Sequence, residues 1–295
     1  MTDCEHGMPV PIDERPPAFE ASAHPGVPSD DEGPTAVELD MTTALTVLGS
    51  GSIEIVGRIV TSSNNALFGT VSLRLPGSDP ATALAGVRSP DLPGGTVGLP
   101  CVYKPLRGER PLWDFPDGTL ARRGVAAFVL SEATGWSLVP PTVFREGPFG
   151  PGMVQLWLDP DETIDPVALV VDGDPRLRRM ALFDVVANNA DRKIGHLLPM
   201  PDGHVYGVDH GICFHVEPKL RTVLWNWRGL RLREEELEVL RSLRASLAGS
   251  LGDGLARLLD ADEVAATARR IDELLTTERY PQPDPDRPAI PWPPY

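Results

Sequence analysis

The stretch from Met180 to His215, MALFDVVANNADRKIGHLLPMPDGHVYGVDHGICFH, decides the fold. Its pattern predicts the end of a helix, a polar loop over residues 188–196, and two short strands joined by a turn at Asp202-Gly203. Asp191 lies in the polar loop, and Asp209 directly follows the second strand. Because a hairpin brings its ends together, we expect the two carboxylates to face one site despite their separation in sequence.

Composition limits the class of protein. The chain has 295 residues, with 27 basic and 42 acidic side chains and a formal net charge of -15. This charge disfavours nucleic acid and anionic membrane surfaces as partners. No apolar run approaches the roughly 20 residues that span a bilayer, and no signal pattern is present, so we expect a cytoplasmic protein without stable membrane insertion. Three cysteines without paired spacing indicate a reducing compartment.

The order of composition and periodicity predicts four segments. Residues 1–35 are rich in Pro, Ser, Gly and acidic residues and should form a disordered tail. Residues 36–158 are β-rich and carry one helix over residues 119–134. Residues 159–280 are mainly helical and begin with an acidic loop over residues 159–174. Residues 281–295 form a Pro-rich surface tail. Two unequal lobes with a ligand cleft between them are the expected architecture.

Two features of the first lobe are candidate phosphate contacts. Strands over residues 52–60 and 68–75 predict a hairpin whose Ser/Asn tip can lay backbone amides over phosphates, although an ordinary hairpin is the simpler interpretation. Lys104 ends the apolar strand Cys101-Val102-Tyr103-Lys104, either as a phosphate ligand or as a solvent-seeking edge residue.

The ordered motifs resemble a protein-kinase-like fold of the atypical branch that includes phosphatidylinositol 3-/4-kinases and HipA-type kinases. In particular they are similar to a bacterial family of unknown substrate labelled phosphatidylinositol-kinase-like. The resemblance implies an α+β, two-lobed fold with a β-rich N-lobe and a mainly helical C-lobe. It covers roughly residues 45–275, and the motifs that carry it are Val102-Tyr103-Lys104-Pro105, Asn189-Ala190-Asp191-Arg192 and Val208-Asp209-His210-Gly211.

The resemblance also implies a role for each site residue. Lys104 would bind the α/β-phosphates of ATP, Asp191 would orient the acceptor hydroxyl and take its proton, and Asp209 would hold Mg²⁺. The other members of the implied site are Lys193 in the catalytic loop, Gln155 and Trp157 in an adenine-binding hinge over residues 153–158, Ser63, Asn64 and Asn65 at the hairpin tip, and His196 at a second metal position.

The implied activity is ATP-dependent transfer of the γ-phosphoryl group to a hydroxyl acceptor, in the phosphatidylinositol 3-/4-kinase-like class. The acidic balance favours a protein or small-molecule acceptor over a lipid. Residues 217–230 would form the activation segment that lines the acceptor site, and their basic side chains can meet an acidic peptide or a phosphorylated molecule.

Two departures from the family pattern leave alternatives open. His196 stands where the family has a metal-binding Asn, and Gly124 stands where it has the helix Glu that pairs with the lysine. Glu109, Asp114 or Asp117 can take that pairing role. A nucleotide-binding pseudokinase or regulatory scaffold is therefore the second hypothesis. A metal-dependent hydrolase or zinc site is the third, with four candidate ligands: His196, His204, His210 and His215.

Overall fold

The structure is a computed structural model that describes residues 40–59, 65–75, 91–92 and 96–295. The predicted tail over residues 1–35 and the hairpin-tip residues Ser63 and Asn64 lie outside the described residues. Among the residues described, no helix combines the length and the apolar character needed to cross a bilayer.

An antiparallel sheet forms the first lobe. In the described part of the chain its strands are β1 Ser52–Arg58, β2 Leu67–Arg74, β3 Asp91–Leu92, β4 Thr96–Pro105, β5 Thr142–Gly147 and β6 Gly150–Leu156. Their spatial order is β1-β2-β4-β6-β5, and β3 pairs with β4. The β5 strand begins only after Pro140 and Pro141 because these residues have no N–H groups to donate to a neighbouring strand.

The two faces of the sheet have different partners. Helix α1, Met41–Ser50, packs on one face with a core that includes Leu99, Cys101 and Tyr103. Side chains directly opposite each other on paired strands share a face. Lys104 lies opposite Met153, and Val102 lies opposite Gln155, so these four side chains occupy the other face, towards the crevice between the lobes.

The second lobe is mainly helical. Its helices are α3 Pro166–Asp172, α4 Arg178–Ala187, α5 Glu234–Ser246, α6 Ser250–Ala256 and α7 Ala261–Thr277. A small hairpin, β7 Leu197–Pro199 and β8 Val205–Gly207, follows the polar loop as predicted. The predicted α+β arrangement of a β-rich lobe and a mainly helical lobe is confirmed.

The prediction of an acidic loop over residues 159–174 was wrong in part. Helix α3 forms there because Asp165 caps it, accepting a hydrogen bond from the Val167 amide at 2.8 Å, and Pro166 occupies the first helical position. Gly173 ends it in the left-handed conformation with φ 66°. These start and stop signals are present in the sequence, but the apolar run between them is too short to show a helical period.

Helix α2, Leu120–Thr134, joins the two lobes. Its buried Arg123 forms an ion pair with Glu263 of α7 and donates to the Cys213 carbonyl at 2.8 Å. On the sheet side, a Cβ added to Gly124 would lie 2.6 Å from the sulfur of Met153. The missing side chain therefore lets the helix approach β6 closely, and α2 is fixed to the helical lobe through Arg123.

Candidate active site

Lys104 and Asp209 meet at the bottom of the crevice. The Lys104 Nζ donates to Asp209 Oδ1 at 2.7 Å, and His196 Nε2 lies 3.7 Å from the other carboxylate oxygen. Strand β4 delivers the lysine from the sheet, while the end of the β7–β8 hairpin delivers the aspartate from the helical lobe. The cavity at this point measures about 20 Å³, enough for one or two water molecules. The ion pair therefore occupies the bottom of the crevice and leaves little free space beside it.

The Asp209 carboxylate is held in its ionised form. The Lys104 ammonium lowers the pKa of Asp209 well below its usual range, through its charge and its hydrogen bond, although burial acts in the opposite direction. Its backbone adopts the left-handed conformation with φ 61°, which is uncommon for a side-chain-bearing residue. Such a conformation persists where surrounding structure imposes it, and it is frequent at functional sites.

Asp191 lies on the neighbouring loop with its own cation. Its amide donates to the Asn189 side-chain oxygen at 3.0 Å, and Lys193 Nζ lies 3.7 Å from its carboxylate. Burial raises the pKa of Asp191, with a further contribution from the negative charge of Asp209, while Lys193 lowers it. A carboxylate with raised proton affinity is better suited to accept a proton than an exposed one.

A buried ion-pair network supports the loop from below. Arg192 and Asp184 are both fully buried, with Arg192 Nη2 2.9 Å from Asp184 Oδ1. The same carboxylate accepts from the Asn189 side chain at 2.9 Å and from the Thr222 hydroxyl at 3.2 Å. Sequence analysis did not identify Asp184. The available signal was a charged residue inside the apolar run of α4, where a carboxylate is stable only beside a cation.

His210 completes this network. Its Nε2 accepts a hydrogen bond from Arg192 Nη2 at 2.5 Å, and burial together with the nearby Arg192 charge lowers its pKa well below the usual value. The imidazole is therefore neutral at physiological pH. Its position beneath Asp209, in contact with Phe183 at a ring-centroid distance of 5.6 Å, makes it a structural support.

Backbone hydrogen bonds fix the loop from both sides. The Ala190 amide donates to the Ile212 carbonyl at 2.9 Å, and the Arg221 amide donates to the Asn189 carbonyl at 2.9 Å. The loop thus lies between the segment that follows Asp209 and the segment that the resemblance assigns to activation. Asp191 is presented on a backbone that is braced on two edges.

The C-terminal tail is part of this brace. The Ile194 amide donates to the Pro294 carbonyl at 2.9 Å. The Ala289 carbonyl accepts from the Thr222 amide at 3.0 Å and from the Trp225 indole N–H at 2.9 Å. The Pro-rich segment, predicted as a surface tail, is therefore hydrogen-bonded to the loop that carries Asp191.

Ending the chain after Pro288 is expected to loosen this loop. The truncation removes three hydrogen bonds, each of which contributes about 1 kcal/mol, so the free energy of unfolding should fall by roughly 1–3 kcal/mol. Hydrogen exchange of the Ile194 and Thr222 amides should accelerate. Tyr295→Ala keeps both tail carbonyls and serves as the control. Unchanged exchange in the longer truncation would show that the tail does not brace the loop.

Of the residues that the resemblance assigns to nucleotide binding, Asn65, Gln155 and Trp157 lie in or beside the sheet. Asn65 lines the crevice beside Lys104. Gln155 also lines it, but its side chain is buried within paired β6 and donates to the Thr142 hydroxyl at 2.8 Å. Trp157 lies just beyond β6, outside the crevice lining, and its indole N–H donates to Asp159 at 2.7 Å.

Phe68 is an apolar neighbour of these residues that was not predicted from the sequence. Phe68 lies opposite Val102 in the sheet register and packs edge-on against Trp157 at a ring-centroid distance of 5.1 Å. Together they provide an apolar surface on the face that carries Lys104. Strand parity alone can suggest this, once the pairing of β2 with β4 is known.

The acidic partners suggested for Lys104 have other roles. Glu109 accepts from the amides of Leu120 and Ala121 at 3.1 and 2.7 Å, which caps helix α2. Asp114 forms a 2.6 Å ion pair with Lys219. The suggestion that either carboxylate pairs with Lys104 is therefore wrong, and Asp209 takes that position.

The four histidines of the zinc hypothesis do not converge. His204 contacts the Ser137 carbonyl at 2.9 Å, and His215 accepts from the Glu217 amide at 3.0 Å. Within the described ranges, no group of three or more His, Cys, Asp or Glu side chains is arranged to hold a metal ion. The chemistry of Asp209 fits Mg²⁺, which proteins bind through one or two carboxylates plus water and phosphate oxygens. The His196 imidazole suits that ion less well.

His196 should make the stability of the protein sensitive to mild acid. Burial lowers its pKa from 6.5 to about 4, so between these values the unfolded chain binds a proton that the folded chain does not. Stability attributable to this group is therefore lost as the pH falls from about 6.5 towards 4. When the pH is lowered from 7 to 5, the unfolding free energy of wild type should fall by about 2 kcal/mol relative to that of His196→Asn.

Urea denaturation in EDTA at both pH values measures this difference. His196→Gln is the matched variant and should give the same difference, because the effect comes from removing the imidazole. A constant difference between wild type and both variants across this range would contradict the assignment of a depressed His196 pKa.

Comparison with known proteins places the chain in a family. A search of protein-family models found no match. The chain is 42% identical over 282 residues to Protein Rv2133c of Mycobacterium tuberculosis, covering 84% of this chain and 94% of that protein. This chain belongs to the Rv2133c family. The name of that relative states no activity, so the shared family leaves the function to be argued from the site.

Solved structures define the fold of this family. The structure of hydra Fam20 with sugar matches with a TM-score of 0.51 at 17% identity, covering 80% of this chain and 87% of that chain. Two further matches have lower TM-scores, 0.49 for the golgi casein kinase and 0.38 for the Helicobacter pylori proinflammatory kinase CtkA. The likeness to Fam20 confirms the protein-kinase-like fold.

Proposed function

We propose that the protein is an ATP-dependent phosphotransferase that transfers the γ-phosphoryl group to a hydroxyl acceptor. The observation that supports the proposal is the ion pair of Lys104 with Asp209 at a crevice of a protein-kinase-like fold, with Asp191 near enough for the charge of Asp209 to raise its pKa. Phosphoryl transfer needs alignment and charge neutralisation more than covalent chemistry, so an amine, two carboxylates and a divalent ion suffice.

Each residue has a defined part in the proposed reaction. Lys104 would exchange its ion pair with Asp209 for the α/β-phosphates, which frees the carboxylate to bind Mg²⁺. Such an ion, held by Asp209, would supply positive charge to neutralise the phosphates. Asp191 would orient the acceptor hydroxyl and take its proton, and Lys193 would stabilise the charge that develops nearby. Phe68 and Val102 offer an apolar surface for the adenine.

The class of acceptor follows from charge and surroundings. The proposal keeps the phosphatidylinositol 3-/4-kinase-like class for the catalytic machinery, with a protein or soluble small-molecule hydroxyl as acceptor. A net charge of -15 opposes approach to an anionic membrane surface. Lys193 of the candidate catalytic loop and Lys219 of residues 217–230 each form an ion pair with a carboxylate of the chain itself.

Phosphate transfer from radiolabelled ATP tests the proposal. With Mg²⁺, label should appear on the protein or on small molecules of a cell extract, and EDTA should abolish it. Lys104→Met and Asp209→Asn should each remove the label, whereas Arg257→Gln, an exposed residue of the helical lobe, should not. Label that persists in both site variants would refute the proposal.

A pseudokinase is the second candidate function, and the ion pair that occupies Lys104 at the bottom of the crevice favours it. Lys104 is held by Asp209 where the family pattern has a helix glutamate, and Gly124 leaves no carboxylate at that place. On this hypothesis, ATP would raise the melting temperature without a metal requirement and without turnover. A calorimetric titration of ATP with and without Mg²⁺ separates the two functions, because the enzyme needs the ion for tight binding.

A further inference from the structure

A second, larger cavity lies on the helical lobe. Its volume is about 1020 Å³, at the upper end of the range for small-molecule sites. Residues 216–221, helix α7 and residues 280–289 of the C-terminal tail form its walls. Lys104, Asp191 and Asp209 do not line it, so it is separate from the crevice described above.

The charge of this cavity is opposite to that of the chain. Its lining carries four acidic side chains and six basic ones, which are Lys219, Arg221, Arg269, Arg270, Arg279 and Arg287. The whole chain has a net charge of -15. A positive concave surface on a strongly acidic protein concentrates anions locally and is not explained by composition.

Arg270 is a partly buried cation whose hydrogen bonds all go to neutral groups. Its guanidinium donates to the carbonyls of Val186 and His215 at 2.9 and 3.3 Å and to the Thr267 hydroxyl at 2.8 Å. Burial lowers the pKa of Arg270 to about 10. Within the described part of the chain it forms no ion pair, and Glu263, whose charge acts in the opposite direction on this pKa, is already paired with Arg123.

The neighbouring Arg269 is an exposed cation on the same helix. Its guanidinium forms no hydrogen bond or ion pair with other residues that the structure describes, whereas the charge of Arg221 acts on the Asp191 carboxylate. The Arg269 charge contributes to the lowered pKa of Arg270, so the two cations repel each other. By contrast, Lys219 is paired with Asp114 at 2.6 Å. An anion bound between Arg269 and Arg270 would relieve the repulsion and supply the missing counter-charge.

We propose that this cavity binds a phosphate-bearing organic small molecule, with the phosphate between Arg269 and Arg270. Val185, Ala266 and Leu274 also line it and provide apolar surface for the organic part of the ligand. Enclosure by three chain segments favours a soluble molecule over a membrane surface. The inference does not depend on phosphotransferase activity.

Calorimetric titration of the full chain in EDTA, with phenyl phosphate and inorganic phosphate as probes, tests the site. Phenyl phosphate should bind more tightly than inorganic phosphate because its ring meets the apolar lining. Arg269→Gln should weaken binding about tenfold, the loss of one charge-assisted hydrogen bond. Arg257→Gln, also an exposed arginine of the helical lobe, is the matched control and should bind as wild type.

Two further arms separate the alternatives. Lys104→Met should bind phenyl phosphate normally, and a loss of binding in this variant would place the probe in the nucleotide crevice and overturn the inference. Phosphatidylcholine vesicles containing phosphatidic acid should not retain the protein. Vesicle binding that requires Arg269, in the absence of phenyl phosphate binding, would replace the small-molecule site with a lipid surface. The proposed small-molecule site would also be refuted if neither phenyl phosphate nor inorganic phosphate binds to the wild-type protein.

Discussion

Replacing Asp191 with asparagine is expected to lower the rate of phosphoryl transfer by a factor of about 10²–10⁴ without lowering the free energy of unfolding. The rate falls because an amide cannot accept the proton of the acceptor hydroxyl. The fold persists because the substitution keeps the shape of the side chain. Steady-state assays with radiolabelled ATP and urea denaturation of the same preparations measure the two effects.

The sign of the stability change follows from the pKa of Asp191. Burial raises this pKa, so the folded chain holds the proton more tightly than the unfolded chain. The contribution is favourable at low pH and is lost as the pH rises through the folded-state pKa. At pH 7 the ionised carboxylate therefore opposes folding, and Asp191→Asn should be at least as stable as wild type. A variant that is both inactive and unfolded would give no support to a catalytic role.

Replacing Asp184 with asparagine is expected to lower the free energy of unfolding by about 3–5 kcal/mol. The substitution leaves the fully buried Arg192 guanidinium without its counter-charge, 2.9 Å from an uncharged group. It also weakens the bonds from Asn189 and Thr222, so the loop that carries Asp191 should lose its order. Urea denaturation gives the free energy, and hydrogen exchange of the loop amides gives the local effect.

Asp272→Asn is the matched control for this experiment. Asp272 pairs with Arg244 at 2.7 Å on the surface, where both side chains are about half exposed. An exposed pair of this kind contributes at most about 1 kcal/mol. Similar losses in the two variants would mean that burial of the Asp184–Arg192 pair does not determine its contribution.

The elements that were predicted from the sequence are those marked by residues close together in the chain, such as helix caps and turns. Asp260 forms a capping box with Glu263 at the start of α7, where an Asp before an apolar helical period typically begins a helix. Gly135 ends α2 in the left-handed conformation, as a glycine at that position indicates. The β7–β8 hairpin was also predicted, because its turn residues and the residue pattern of its strands are recognisable within one short stretch of sequence.

Features set by tertiary packing were not predictable. The Lys104–Asp209 pair joins residues 105 positions apart; the resemblance assigned both residues to one nucleotide site, but their direct ion pair was not predicted because no periodicity connects them. Asp184 lay inside an apolar helix pattern that says nothing about the cation placed beside it by the following loop. Helix α3 was missed because a seven-residue helix is too short to show its period. The chemical roles of Lys104, Asp191 and Asp209 stay predictions.

The buried link between Arg123 and Glu263 bears on how activity can be controlled. Protein kinases are commonly switched by repositioning the helix after the lysine strand. Here that helix is α2, and swinging it outward would strand a guanidinium and a carboxylate in the interior, at a cost of several kcal/mol. Helix α2 is therefore anchored to the helical lobe, and its contact with the sheet lies at Gly124 and Met153.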